Sequence, residues 1–426
     1  MLYHLFEYLN SQFHIPGGGL WNYISFRAIL AGSIALICAI IIGKHFIAFM
    51  NSRHIYETQR DEKIDHSAAS KKNVPTMGGI IIIFSLMISV LLFCKLNSVY
   101  TLLMIATTLI LGCLGFADDY IKTFKKNKDG IKPIVKLAGQ VTVGLLVGLT
   151  LRFSPSVVMN EHVERTIENN VIVYHKTPEI KSTRTTIPFV KNHNANYADM
   201  FSFLGSNWKY KAGWIFFIIL ITLVVMGTSN GANLNDGMDG MAAGNSAIMG
   251  LGLVVLAYVS SSTFMAEYLK LMYIPGSEEL VVFLAAFVGA LIGFLWYNFA
   301  PAEIFMGDTG SLCIGGIIAV SACIIHKEWL LPILCGVFVM EALSVMIQTR
   351  WFRLGKKRGV EQRVWKRSPI HDHFRYSYDE VKKDHPNCTY IFKGEKKGHA
   401  ETKIVVRFWL VSLLLLAFTI LTLKIR

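Results

Sequence analysis

The chain has 426 residues, of which 53% are hydrophobic and only 17% charged, a balance that excludes an ordinary soluble enzyme of this size. Its formal net charge of +13 sits in loops between long apolar runs, so it follows a membrane and not nucleic acid. Six of the seven cysteines fall within or beside those runs and none forms a CxxC pair, which excludes a disulfide framework and a zinc ribbon.

In chain order, apolar segments cover 28–50, 77–94, 100–117, 134–151, 212–228, 241–259, 280–297, 311–325, 329–347 and 404–423. Each reaches or approaches the roughly 20 residues that cross a hydrocarbon core as helix. The sequence therefore predicts an all-α integral membrane protein of about ten transmembrane helices, a single polytopic domain over residues 1–426. Residues 1–19 lack the basic-then-apolar pattern of a cleaved signal, so none is expected. Neither a solenoid repeat nor inverted-repeat symmetry is visible.

Lys and Arg in short loops mark the cytoplasmic side. Residues 51–75, 118–136 and 350–403 are strongly basic and form the first, third and ninth links. Odd links are thus cytoplasmic and both termini lie outside. The fourth link is exceptional in length. Residues 153–210 read as an extended periplasmic insertion, and residues 350–403 as a cytoplasmic loop carrying a histidine motif.

The polar motifs all fall on odd links: "SKKNVPTMGG" (70–79), "FADDYIK" (116–122), "SNGANLNDGMDG" (229–240), "WYNFAPAEIFMGDTGS" (296–311) and "KRSPIHDHF" (366–374). Taken singly, Asp236, Asp239 and Asp308 read as helix caps or first-turn acids, which the helix dipole favours. Asp236 and Asp239 share one face if a helix begins there. Asp118 and Asp119 would end a helix, where the dipole disfavours them. Taken together, carboxylates flanked by glycines on one side of a membrane suit a hard divalent cation such as Mg²⁺.

Lysines 71, 72, 122, 125 and 136 lie on the same side, where positive-inside topology alone explains most of them. Lys136 stands apart, because it opens an apolar span with Gln140 one turn on. Glu341 and Gln348 share a face of the ninth span, either as an interhelical polar contact or as a functional pair. Phe305 is a packing residue or a stacking surface for a base. The residues alone give His371 no task. The chemistry that fits is phosphoryl transfer at the membrane boundary, on a substrate with phosphates and a lipid partner.

The order "PTMGG", "FADDYIK", "NLNDGMDG", "WYN…PAEIFMGDTGSL" and "SPIHDHF" resembles the motif series of the phospho-N-acetylmuramoyl-pentapeptide transferase family, within the polyprenyl-phosphate N-acetylhexosamine-1-phosphate transferases. The likeness spans nearly the whole chain from about residue 20. It implies an Mg²⁺-dependent enzyme of peptidoglycan synthesis, a dimer in the bacterial inner membrane with its active site facing the cytoplasm. Such an enzyme moves phospho-MurNAc-pentapeptide from UDP-MurNAc-pentapeptide to undecaprenyl phosphate, giving lipid I and UMP.

By the same resemblance, Asp118, Asp119, Asp236, Asp308 and His371 are the catalytic set, and Asp308 is the metal ligand. Asp118 would be a base or an organiser of the lipid phosphate. Gly237, Met238, Asp239 and Phe305 would hold the uridine, flanked by Lys71 and Thr76. Lys122, Asn233 and Asn298 would line the cleft, and Lys136 would meet phosphate.

The chain departs from the family pattern at Asp372, where the middle of three histidines is usual, and at Arg375, Asn235 and Asn73-Val74. The competing enzyme is a UDP-GlcNAc:polyprenyl-phosphate GlcNAc-1-phosphate transferase, which the ninth-link motif disfavours. A transporter or flippase would place polar residues near the bilayer midplane instead of at one face. A membrane scaffold leaves the carboxylates unexplained.

Overall fold

A computed structural model describes residues 2–14, 17–56, 74–127, 129–168, 171–189, 194–394 and 397–424. Lys71 therefore lies outside the described residues. The helices are α1 (Leu2–Phe13), α2 (Ile24–Ser52), α3 (Gly79–Phe93), α4 (Val99–Phe124), α5 (Pro133–Phe153), α6 (Ser206–Asn235), α7 (Met241–Ser261) and α8 (Thr263–Leu269). They continue with α9 (Glu278–Asn298), α10 (Gly307–Ile324), α11 (Leu331–Leu334), α12 (Gly336–Lys357), α13 (Ile370–Arg375), α14 (Tyr378–Asp384) and α15 (Glu401–Thr422).

Each of the ten apolar segments folds as helix, because such runs must satisfy their backbone groups internally in lipid. The chain is a multi-pass helical membrane protein. Among the described residues, eight helices are long and apolar enough to cross a bilayer. The predicted span 329–347 is instead a pair of segments, Glu328–Leu334 and Gly336–Lys357, bent by 77°. The break falls at Cys335, whose φ −95° and ψ 26° leave the helical region. Helix α3, at 15 residues, is shorter than the expected 77–94.

Helices α9 and α10 form the inside of the bundle: 78% and 89% of their apolar windows are buried, against 28% for α2 and α15. Small residues allow close approach where these helices cross. A Cβ on Gly289 would lie 2.0 Å from the Gly32 carbonyl oxygen, and one on Gly79 would lie 2.1 Å from the Gly310 nitrogen. The second crossing brings α3 and α10 together at the end that carries the polar motifs.

At the opposite end, residues 154–205 fold as β1 (Val163–Glu168) antiparallel to β2 (Val171–Lys176), then β3 (Arg184–Thr186) antiparallel to β4 (Asn194–Asn196), then a 3₁₀ turn over Tyr197–Leu204. The insertion docks on the short link after α10. Tyr197 Oη donates to Glu328 Oε1 at 2.6 Å, and the Thr186 N–H donates to the His326 carbonyl at 3.0 Å. His326, Lys327 and Glu328 are all buried there, which their charge did not suggest.

The described residues of the loop after α12, 358–394 and 397–400, include β5 (Gln362–Arg363) parallel to β6 (Thr389–Tyr390). Gln348 anchors this loop to α12. Its Oε1 accepts the Val364 and Trp365 N–H groups at 3.0 and 3.1 Å, and its Nε2 donates to the Trp365 carbonyl at 3.1 Å. The polar contact expected of Gln348 is therefore to the loop.

Candidate active site

Helix α4 does not stop at Ala117 but runs on to Phe124, so Asp118 and Asp119 stand in its final turns and are buried. Adjacent residues on a helix point about 100° apart, and these two serve different neighbours. Asp119 faces the N-terminus of α10. Its Oδ1 accepts the Asp308 N–H at 3.0 Å, and its Oδ2 accepts the Thr309 N–H at 2.8 Å and the Thr309 hydroxyl at 2.6 Å. It thereby caps orphan donors of the helix start from another helix.

Asp118 faces α5. Its Oδ1 accepts the Ile131 N–H at 2.7 Å, and its Oδ2 lies 2.7 Å from Lys122 Nζ and 3.0 Å from Lys136 Nζ. The same two lysines reach Asp308 Oδ2, at 3.3 Å from Lys122 and 2.6 Å from Lys136. Two carboxylates from separate helices thus share two ammonium groups, a pairing that half-buried charges require. Asp308 Oδ1 accepts from Asn233 Nδ2 at 2.7 Å, and that amide also donates to Ser311 Oγ at 2.9 Å.

Gln140 secures this arrangement from below by bonding Ser229 and Asn230 of α6 at 3.2–3.3 Å. Lys136 and Gln140, one turn apart, therefore divide the work: one enters the site and the other locks α5 to α6.

Residues 236–240 form a turn and not the start of a helix. Gly240, at φ +78°, precedes α7, so Asp236 and Asp239 do not share a helical face. Asp239 Oδ2 accepts the Ala302 N–H at 3.1 Å. Asn298 is buried and braces the turn: its Oδ1 accepts the Gly240 N–H at 3.1 Å, while its Nδ2 donates to the Ile304 carbonyl at 2.9 Å. Met238 is buried beneath the turn and Gly237 lies on its exposed side.

The "PTMGG" segment is strapped to residues 305–306 through the backbone. Phe305 N–H donates to Pro75 at 2.9 Å, Gly78 N–H to Phe305 at 2.8 Å, and Gly79 N–H to Met306 at 2.9 Å. Thr76 is buried in this strap, and Phe305 is partly exposed beside Asp308.

His371 docks against the turn from α13, its Nδ1 3.1 Å from Glu341 Oε2. Burial works against the charged ring, and the Glu341 carboxylate outweighs it, so the imidazole is held above its ordinary range. His373 behaves oppositely: burial, with Lys366 nearby, pushes it down to about 4.

Sequence reasoning passed over Thr309 and Ser311, whose hydroxyls serve Asp119 and Asn233. Their signal was their position, one and three residues after Asp308 in "GDTGS".

Asp118, Asp119 and Asp308 each offer a carboxylate oxygen, all within 4.8 Å of one another. An all-oxygen donor set of this kind suits a hard divalent cation. The donors to Asp119 are all fixed groups at the start of α10, whereas Asp118 and Asp308 share lysine side chains that can swing aside, so Asp118 and Asp308 are the carboxylates that could hold such an ion.

A helical membrane protein with paired aspartates and lysines at one end has the build of a polytopic phosphosugar transferase, and residues 101–326 match the model of glycosyl transferase family 4. Proteins named phospho-N-acetylmuramoyl-pentapeptide-transferase are similar over 100% of both chains: 56% identical over 427 residues in Phocaeicola vulgatus, 50% over 428 in Porphyromonas gingivalis and 49% over 429 in Parabacteroides distasonis. The chain belongs to the phospho-N-acetylmuramoyl-pentapeptide transferase family of glycosyl transferase family 4.

Proposed function

We propose that this protein joins UDP-MurNAc-pentapeptide and undecaprenyl phosphate at the cytoplasmic face of the bacterial inner membrane, as a homodimer. An oxygen of the lipid phosphate attacks the phosphorus attached to MurNAc. A new diphosphate bond forms as the bond to UMP breaks, giving lipid I. The observation that carries this reading is the sharing of Lys122 and Lys136 between Asp118 and Asp308.

Phosphoryl transfer needs positioning and charge neutralisation more than covalent chemistry. Lys122 and Lys136 are partly exposed and can turn to phosphate oxygens when a substrate arrives, and the fully buried Asp118 would then need a divalent cation as its counter-charge. Asp118, fixed by the Ile131 N–H, orients the lipid phosphate, which is already ionised near neutral pH. The Asp236–Gly240 turn holds the uridine end together with Phe305 and Thr76, and His371, which lies against Gly237, closes that side. Asp308 and Asp118 would hold Mg²⁺, which would supply neutralisation of the diphosphate charge.

The test is product formation by the purified protein with undecaprenyl phosphate and each sugar nucleotide in turn. Lipid I from UDP-MurNAc-pentapeptide is expected. Product from UDP-GlcNAc alone would reject the assignment.

A further inference from the structure

Glu341 of α12 is fully buried, and among the described residues neither of its carboxylate oxygens has a well-aligned hydrogen-bond donor. A buried carboxylate without donors is costly unless a counter-charge lies against it. The group in that place is the His371 imidazole, itself only 2% exposed, with Nδ1 3.1 Å from Glu341 Oε2. This is an ionic contact and not an aligned hydrogen bond.

The opposite edge of the ring meets the acidic turn. A Cβ on Gly237 would lie 2.2 Å from His371 Nε2, so the imidazole rests on the Gly237 backbone next to Asp236. His371 therefore bridges a buried carboxylate and the turn.

Holding the loop does not require this charge. Gln348 anchors the same loop with three neutral hydrogen bonds, and a neutral side chain at Glu341 would dock the ring with less desolvation. We propose that Glu341 is a positioning residue, which fixes His371 so that its Nε2 edge is presented to the substrate pocket at the Asp236–Gly240 turn. The inference rests on the proposed transferase reading for its kinetic consequence. Its geometric part stands on its own.

The other charged groups facing the ring are Asp372, 3.7 Å from Nε2, and Arg375, which is paired with Asp372 and with Glu401. Both belong to α13 itself, so they do not tie the ring to α12.

The experiment is a double-mutant cycle of Glu341→Gln and His371→Ala, with kcat, KM for the sugar nucleotide and thermal midpoint measured for each form. Glu341→Gln is expected to lower kcat about 10–100-fold with KM changed by less than about threefold, in line with loss of an orienting partner. In the His371→Ala background the same change should have no further effect beyond about twofold.

Multiplying losses would overturn the proposal, as would unchanged kcat with only a lower midpoint. A second arm follows the ring by NMR of labelled histidine. Glu341→Gln should move the His371 titration downward, and an unmoved titration would contradict the assignment. Should the wild-type protein form no product, the transferase reading fails while this arm still decides the role of Glu341.

Discussion

Asp308 donates its backbone N–H to Asp119 Oδ1 at 3.0 Å, so one carboxylate of the site is held in place by another. Asp119 acts as a cap delivered from α4 to the start of α10. An Asp119→Asn change would set an amide donor against the N–H and hydroxyl donors it now accepts. A stability loss of about 1–3 kcal/mol is expected, together with a fall in turnover as Asp308 shifts. Thermal midpoint and UMP release measured on one preparation check this. Lost turnover at an unchanged midpoint would make Asp119 a reacting group instead.

Lys136 neutralises Asp118 and Asp308 together. Lys136→Gln leaves those two carboxylates with Lys122 alone. Divalent cation should then bind about tenfold tighter, as expected for removing one partly screened charge, while turnover falls. Titration with Mn²⁺ followed by EPR, beside steady-state kinetics, reads both effects.

Gly115 is where α4 passes the first turn of α10, and a Cβ there would lie 2.2 Å from the Asp308 carbonyl oxygen. Gly115→Ala is expected to cost about 1–3 kcal/mol by overpacking and to lower turnover about 10²-fold through misplacement of Asp308. Gly227 on α6 is the control, since a Cβ there meets nothing within 4 Å. Gly227→Ala should leave turnover intact and raise stability by about 1 kcal/mol.

His326 lies outside the spanning helices, on the link that receives the insertion. Burial, then the neighbouring Lys327, push it from the ordinary 6.5 down to about 4. A depressed folded value means that its contribution is present above pH 6.5 and lost as pH falls towards 4. The size is about 3 kcal/mol. His373 acts in the same direction. The thermal midpoint should therefore drop through this window, and His326→Phe, which keeps a ring to stack on Phe217, should flatten part of the fall.

Much of this was legible in the sequence. Apolar runs become helices because lipid leaves the backbone no other solution. The gathering of the motifs at one end followed from their all falling on odd links. Lys136 stood out because a cation at a span boundary is expensive without a partner, and its partners are Asp118 and Asp308. What stayed hidden depends on tertiary packing. Asp118 and Asp119 look alike in "FADDYIK" yet face different helices. The Asp236–Asp239 spacing suggested a helical face, but Gly240 delays α7 until Met241. The partner of Glu341 lies in a different helix, reached only after the loop folds back. The buried His326–Glu328 link had no periodic signal, being three residues long.

The central claim is that Asp118 and Asp308 meet around a divalent cation to neutralise a diphosphate. UMP release from UDP-MurNAc-pentapeptide and undecaprenyl phosphate, with and without Mg²⁺, tests it most directly. The account predicts release that stops with chelation, returns with Mg²⁺, and falls at least about 10²-fold in Asp308→Asn. Release that persists under chelation, or that survives Asp308→Asn undiminished, would contradict it.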